Sequence, residues 1–176
     1  MKTKSITFVF ILLLLSACAP SSTPETPIPV DIGLPTGGYQ PVSEEVCQIL
    51  LEDASASTGL EFSMQMSTPF TDYLTGETGT GCTLTATTDG ASISFPSEAS
   101  AKLMNGFIGW VEDINYLADG PTGTAIAIRR DSGLMLISVS WEPSADANCP
   151  TDQPIIDCVL TEEQRLYTVT IQAAQK

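Results

Sequence analysis

Few groups in this chain are able to do chemistry, and their types exclude much of it. There is no histidine among the 176 residues, which removes Ser-His and Cys-His nucleophilic machinery and most catalytic zinc arrangements. A Ser-Lys dyad would have to use Lys102, yet neither Ser97 nor Ser100 gives the S-x-x-K spacing, and capping of a helix explains Ser97 instead. The stretch Gly76 to Gly81, GETGTG, has the composition of a phosphate-binding loop. That chemistry needs a strand leading into a helix N-terminus; here a strand pattern follows, so a plain loop is expected. Met64 and Met66 carry thioethers of the kind that hold Cu(I), but their alternation with Leu60 and Phe62 makes them core. Asp146, Asn148, Asp152 and Asp157 place hard oxygen donors on one loop, as calcium requires. Their spacing is not that of an EF-hand, and a solvated acidic loop is the simpler reading. Trp110, Tyr116 and Asp119 are the candidates for an aromatic and acidic surface of the sort that sugars or protein partners use, with core packing of Trp110 as the competing reading.

The N-terminus carries a different kind of information. Lys2 and Lys4 precede an almost unbroken apolar run, Ile6 to Leu15, which ends in Leu15-Ser16-Ala17-Cys18. The run is about half the length needed to span a bilayer and reads as a secretory segment. Leu15 to Cys18 resembles the lipobox of bacterial lipoproteins. The resemblance implies cleavage after residue 17, diacylglycerol on the Cys18 thiol, and a mature chain anchored on the extracytoplasmic face of the envelope, in the outer membrane or the outer leaflet of the cell membrane. Ala19 after the cysteine implies outer-membrane sorting in those families that have two membranes.

Assigning Cys18 to lipid leaves Cys47, Cys82, Cys149 and Cys158, an even set suited to two disulfides. Three pairings are open, and Cys47–Cys82 with Cys149–Cys158 is favoured because a short proline-bearing loop separates the second pair. A four-thiolate zinc site is the alternative, weakened by the lack of any C-x-x-C pair. Loss of Lys2 and Lys4 takes the formal charge from −14 to about −16. Such a surface repels phosphate backbones, so no nucleic-acid partner is expected. No cofactor is called for.

Residues 18–41 hold six of the 12 prolines with Ser, Thr and Gly, and form a lipidated N-terminus and linker. The remaining 42–176 suit a single domain. Ser43, Glu44 and Glu45 open a helix with Val46, Ile49, Leu50 and Ala54 inward, stopped by Gly59. Leu60, Phe62, Met64 and Met66 alternate as a strand. Asp89-Gly90 signals a hairpin that pairs Ala86 with Ile93 and Leu84 with Phe95. A second helix runs from Ser97 to about Ile108, and Trp110 to Asp119 reads equally as more helix or as an irregular segment. Parity demands a loop of two or four residues between Thr124–Arg130 and Leu134–Trp141, with Ser132-Gly133 fitting two. Tyr167, Val169, Ile171 and Ala173 mark a final strand. The expected fold is α+β: an antiparallel sheet of five to six strands, two helices on one face, in the order α-β-β-β-α-β-β-β.

The succession of a helix with one cysteine, a strand with the next, and then a helix and hairpin strands over residues 43–141 is similar to small bacterial lipoproteins of unknown function, especially actinobacterial-type ones. The resemblance implies a sensor-like or partner-binding domain rather than an enzyme, and carries over no site residues. The functional expectation is a non-catalytic binding or accessory domain, tethered to the membrane through Cys18, with an unknown protein or glycan partner. The alternatives are a hydrolase using carboxylates such as Glu112 or Asp113, and a passive structural protein of the envelope.

Overall fold

The computed structural model describes residues 38–150 and 154–176. The expected signal segment, Cys18, most of the linker and Asp152 lie outside the described residues. The elements are β1 (Gln40–Pro41), α1 (Glu44–Thr58), β2 (Ser63–Thr71), β3 (Thr78–Asp89), α2 (Pro96–Gly106), β4 (Val111–Glu112), β5 (Ala118–Gly120), β6 (Gly123–Arg130), β7 (Gly133–Pro143) and β8 (Arg165–Gln175). Single 3-10 turns occupy Ile114–Tyr116 and Ile155–Asp157. The strands form one sheet in the order β2-β3-β8-β7-β6-β4, with β1 beside β8 and β5 beside β6. Every one of these ladders is antiparallel.

The fold is therefore α+β, but its strand count and order differ from the expectation. Among the described residues eight strands are present rather than five or six, because β1, β4 and β5 are two or three residues long and show no periodicity to read. The segment Trp110–Asp119 resolves as irregular chain, hugging the outer edge of β6 through β4 and β5. The Asp89-Gly90 hairpin does not form. Leu84 and Ala86 do lie buried on one face, but they pair with Ile171 and Val169 of β8. The long alternating C-terminal strand takes the edge that residues 91–95 would have needed. Asp89 instead accepts from the Ala91 amide at 3.1 Å, an Asx turn, while Gly90 donates to the Glu162 carbonyl and sits so close that a Cβ would stand 2.6 Å from its oxygen.

Ser43 caps α1 by accepting from the Val46 amide, and Gly59 closes it at φ 75°. The buried stripe is Cys47, Leu50 and Ala54, with Ile49 half exposed; burial of Cys47 against Cys82 rotates the stripe away from Ile49. In α2 the cap is Phe95 without a side-chain bond, and Pro96 takes the first turn, so Ser97 is not the cap. The helix stops at Gly106 rather than Ile108. At Gly106 a Cβ would stand 2.7 Å from Ser57 of α1, which makes this glycine the close-approach point of the two helices.

Both helices pack on one face of the sheet. Their buried residues Cys47, Leu50, Ala54, Ala99 and Leu103 join Leu84, Ile126, Ile128, Met135, Ile137, Val139, Val169 and Ile171 in one core. The β6–β7 hairpin has the expected two-residue loop and face parity, but the loop is Asp131-Ser132, with Arg130 opposite Gly133 and Asp131 at φ 52°. A bulge between Gln65 and Thr68 switches the faces of β2. Met64 packs toward the helices, whereas Phe70 joins a smaller core on the opposite face with Tyr39, Tyr116, Leu134, Leu136 and Ala174. Pro69 is tolerated because β2 is an edge strand.

The domain begins earlier than residue 42. Tyr39 is 2% exposed and Gln40–Pro41 pairs with Ala174–Gln175, so the last residues of the expected linker belong to the fold. The disulfides are Cys47–Cys82, tying α1 to β3, and Cys149–Cys158, with Cα separations of 6.2 and 5.4 Å. Two such bonds indicate an oxidising, extracytoplasmic environment. Among the described residues no helix is long and apolar enough to cross a membrane.

Candidate functional site

Because side chains alternate along a strand, burying Leu84, Ala86, Val169, Ile171, Ile137 and Val139 under the helices sends their neighbours to the other face. The register then aligns those neighbours in rows. Ser63, Thr85, Thr170, Ser138 and Ala125 stand opposite one another across β2, β3, β8, β7 and β6. A second row holds Thr87, Thr168, Ser140 and Gly123, and a third Gln65, Thr83, Gln172 and Leu136. Strands lie about 4.8 Å apart and rows about 7 Å apart, so the helix-free face beyond the smaller core, which takes Leu136 at the end of the third row, is a grid of small hydroxyl and amide groups. The Ser138 and Ser140 side chains are exposed, and Thr85, Thr168 and Thr170 partly so.

Several hollows reach this face, those over β2, β3 and the far ends of β7 and β8 being bordered by Glu61, Asp89 and Glu142, and two lie over β6 and β7. One, of about 270 Å³, is lined by Thr71, Tyr73, Ala125, Leu136, Ile137, Ser138, Thr170 and Gln172. No charged side chain lines it. The other, of about 300 Å³, shares Ala125 and Ser138 and adds Asp119, Thr124 and Ser140. Gln172 donates its amide nitrogen to the Pro69 carbonyl at 3.2 Å, which leaves the amide oxygen as the end suited to an incoming donor. Tyr73 is half exposed; its hydroxyl donates to the Tyr116 carbonyl at 2.8 Å and its ring meets the Tyr116 ring edge-on at 5.1 Å. The aromatic wall of the first hollow is thus fixed in place.

A buried carboxylate organises the end of that wall. Asp72 is 1% exposed and accepts from Tyr39 at 3.0 Å, from Tyr116 at 2.8 Å, and from the amides of Leu74 and Thr75. Burial alone would raise its carboxyl, but the bonds from Tyr116, Thr75 and Tyr39 outweigh burial and hold it below the usual carboxylate range. Burial, reinforced by the bond to Asp72, raises both Tyr116 and Tyr39 above an ordinary phenol. Arg129 donates to the Tyr116 hydroxyl at 2.7 Å and to Asp113 at 2.8 Å, and that guanidinium bond keeps Asp113 low. This is a structural clamp between the β2–β3 loop, the edge segment and β1, with every acceptor engaged.

The expected surface of Trp110, Tyr116 and Asp119 does not assemble. Tyr116 is 1% exposed in the smaller core. Trp110 packs toward the helix-side core under Arg130, whose guanidinium lies 4.9 Å from its ring. Asp119 is exposed, accepts from Thr124 at 2.9 Å, and lines the second hollow. The physical reason is that the edge segment crosses the sheet edge, so residues close in sequence reach opposite faces. Met64 and Met66 pack against the helix-side core. GETGTG serves close packing: at Gly79 a Cβ would overlap the Tyr39 backbone, and Thr80 donates to the Tyr39 carbonyl at 3.0 Å. Lys102 pairs with Glu98. Of the calcium candidates, Asp146 accepts from Ser144 and Asp157 is exposed in a 3-10 turn. Among the described residues no three Cys, Asp or Glu side chains converge as a metal site.

Sequence reasoning missed Asp72, Tyr39 and Tyr73. Three of the four tyrosines gather at Asp72, and the available signal was the pair Asp72-Tyr73 directly after a strand, in a chain poor in aromatics. Compared with known proteins, the chain matches no family model, no curated protein and no solved structure.

Proposed function

We propose that the chain is a lipoprotein anchored through Cys18 on the extracytoplasmic side of a bacterial envelope, whose domain binds a neutral glycan on its helix-free sheet face and performs no catalysis. The observation that carries this reading is the in-register row Ser63, Thr85, Thr170, Ser138 beside an uncharged hollow walled by Tyr73. A sugar ring offers hydroxyls for such a grid and C–H faces for the tyrosine ring. A protein partner is less well served: interface centres are enriched in aromatic residues, Met and Arg and depleted in Ser, the reverse of this face. The net charge of −14 disfavours anionic ligands.

A carboxylate-dependent hydrolase needs two acids whose environments push their values apart. Asp72 and Asp113 are both shifted down rather than apart. The test is co-sedimentation of the detergent-extracted native chain with insoluble envelope polysaccharide at high salt, with flotation on membranes in parallel. Binding that resists salt and is competed by neutral oligosaccharide supports the reading. A chain left in the supernatant contradicts the glycan, and equal flotation of the Cys18→Ser chain contradicts the anchor.

A further inference from the structure

We propose that the end of the domain from which the tether leaves rests on the bilayer that holds the lipid, with the edge segment Ile108–Leu117 set into the headgroup region. This inference rests on the lipid-anchored reading above. Four of the eleven exposed large apolar side chains among the described residues fall within ten positions, each three apart: Ile108 at 88%, Val111 at 69%, Ile114 at 72% and Leu117 at 53%. Solvent-facing aliphatic residues at this density mark a contact surface.

The register says where that surface lies. Val111 pairs with Arg129, which pairs with Leu134, then Ala174, then Pro41. Val111 and the strand on which the chain enters the domain therefore share one row at one end of the sheet, about 20 Å apart, and from that row the segment runs along the edge of β6 until Ala118 pairs with Ala125. Entry at that end is fixed, since Tyr39 is clamped by Asp72 and its ring packs at a tilt against Phe70, centroids 4.8 Å apart. Residues 19–37 reach at most about 60 Å even in polyproline geometry. A lipid on Cys18 thus keeps the aliphatic end at high effective concentration beside one particular surface, its own bilayer, where a weak apolar contact is well populated. Trp110, stacked under Arg130 at the same end, has the amphipathic character favoured at membrane interfaces. Glu112 and Asp113 lie within the segment, Asp113 paired with Arg129, and Asp131 follows at the same end, so contact is to zwitterionic rather than strongly anionic lipid.

The two tryptophans make the orientation measurable. Trp110 packs on Gly133 at the tether end, whereas Trp141 lies eight positions further along β7, about 26 Å away. The native lipidated chain is reconstituted into phosphatidylcholine vesicles brominated on the acyl carbons nearest the headgroups, in a Trp141→Phe form reporting Trp110 and a Trp110→Phe form reporting Trp141. The expected result is loss of Trp110 emission with Trp141 emission retained, and recovery of Trp110 emission in Ile108→Asp and Ile114→Asp, whose exposed positions leave the fold intact. Vesicle-bound chain in which Trp110 is not quenched overturns the inference, whether a second copy or another protein then covers the segment; so does equal quenching of both. Flotation of the same samples separates the causes: a chain that does not float has lost the anchor reading, and one that floats without quenching has lost only the orientation.

Discussion

Asp72 shows how a single side chain holds three parts of the chain together. Its two oxygens take bonds from Tyr39 near the start of the domain, Tyr116 on the edge segment, and the loop amides after β2. Asp72→Ala would leave two buried phenols without an acceptor, and the expected loss is on the order of 3 kcal/mol in urea unfolding with both disulfides intact. The pH dependence follows from the directions of shift. A carboxyl lowered in the fold contributes stability that is present above its unfolded value, near pH 4, and is lost as pH falls through the folded value. Tyr116 and Tyr39 are raised, so their contribution is present below about pH 10 and is lost as pH rises through the folded values. Thermal scans should give a level melting temperature between these limits and a fall on both sides, with the acid fall reduced in Asp72→Asn. None of this was readable beforehand. An aspartate in a polar loop looks the same whether it is solvated or clamped, and its partners are 33 and 44 residues away.

At the scale of elements, two features govern stability. The Cys47–Cys82 bond joins α1 to β3 across 35 residues. Replacing both cysteines by alanine should cost about 4 kcal/mol of unfolding free energy by loop-closure reasoning, seen as a lower urea midpoint. Gly79→Ala acts elsewhere: the new Cβ would collide with the Tyr39 backbone, so β1 should detach. Hydrogen exchange at the Thr80 amide, which donates to Tyr39, would rise to the rate of the frayed terminus while β7 and β8 stay protected. The long periodic elements were legible, because α1, the first half of β2, β6, β7 and β8 each turn a regularly spaced apolar set toward the helix-side core, although Ala127, Leu134 and Leu136 of β6 and β7 are buried on the other face as well. The hairpin at Asp89-Gly90 was misread because local turn chemistry cannot reveal that β8, some 80 residues later, takes the pairing edge. The second half of β2 was missed because the bulge at Ser67 breaks the period that reveals a strand.

For the whole molecule, the presence of two disulfides followed from cysteine parity, and their pairing was favoured by the short loop between Cys149 and Cys158 among three open pairings. The helices on one face followed from periodicity, whereas the candidate site did not. Its residues are Thr, Ser and Gln on alternate positions of strands whose other positions are core, and in sequence they read only as the polar half of an amphipathic pattern. They become a surface through the order β2-β3-β8-β7-β6, which joins strands from both halves of the chain and sets their hydroxyls in rows. The face is open because both helices lie on the other side. In the orientation proposed above, the strands would stand off the bilayer and leave the grid in water, within reach of a polymer of the envelope.

The most direct measurement is of polysaccharide binding by the double variant Ser138→Glu, Thr170→Glu, compared with the native chain. Both residues lie at the centre of the grid, and both line the hollow beside Tyr73. Charge and bulk there should lower affinity at least about tenfold, roughly 1.4 kcal/mol, while the urea midpoint shows the domain still folded. Binding that is unchanged in a folded double variant would contradict the assignment of this face.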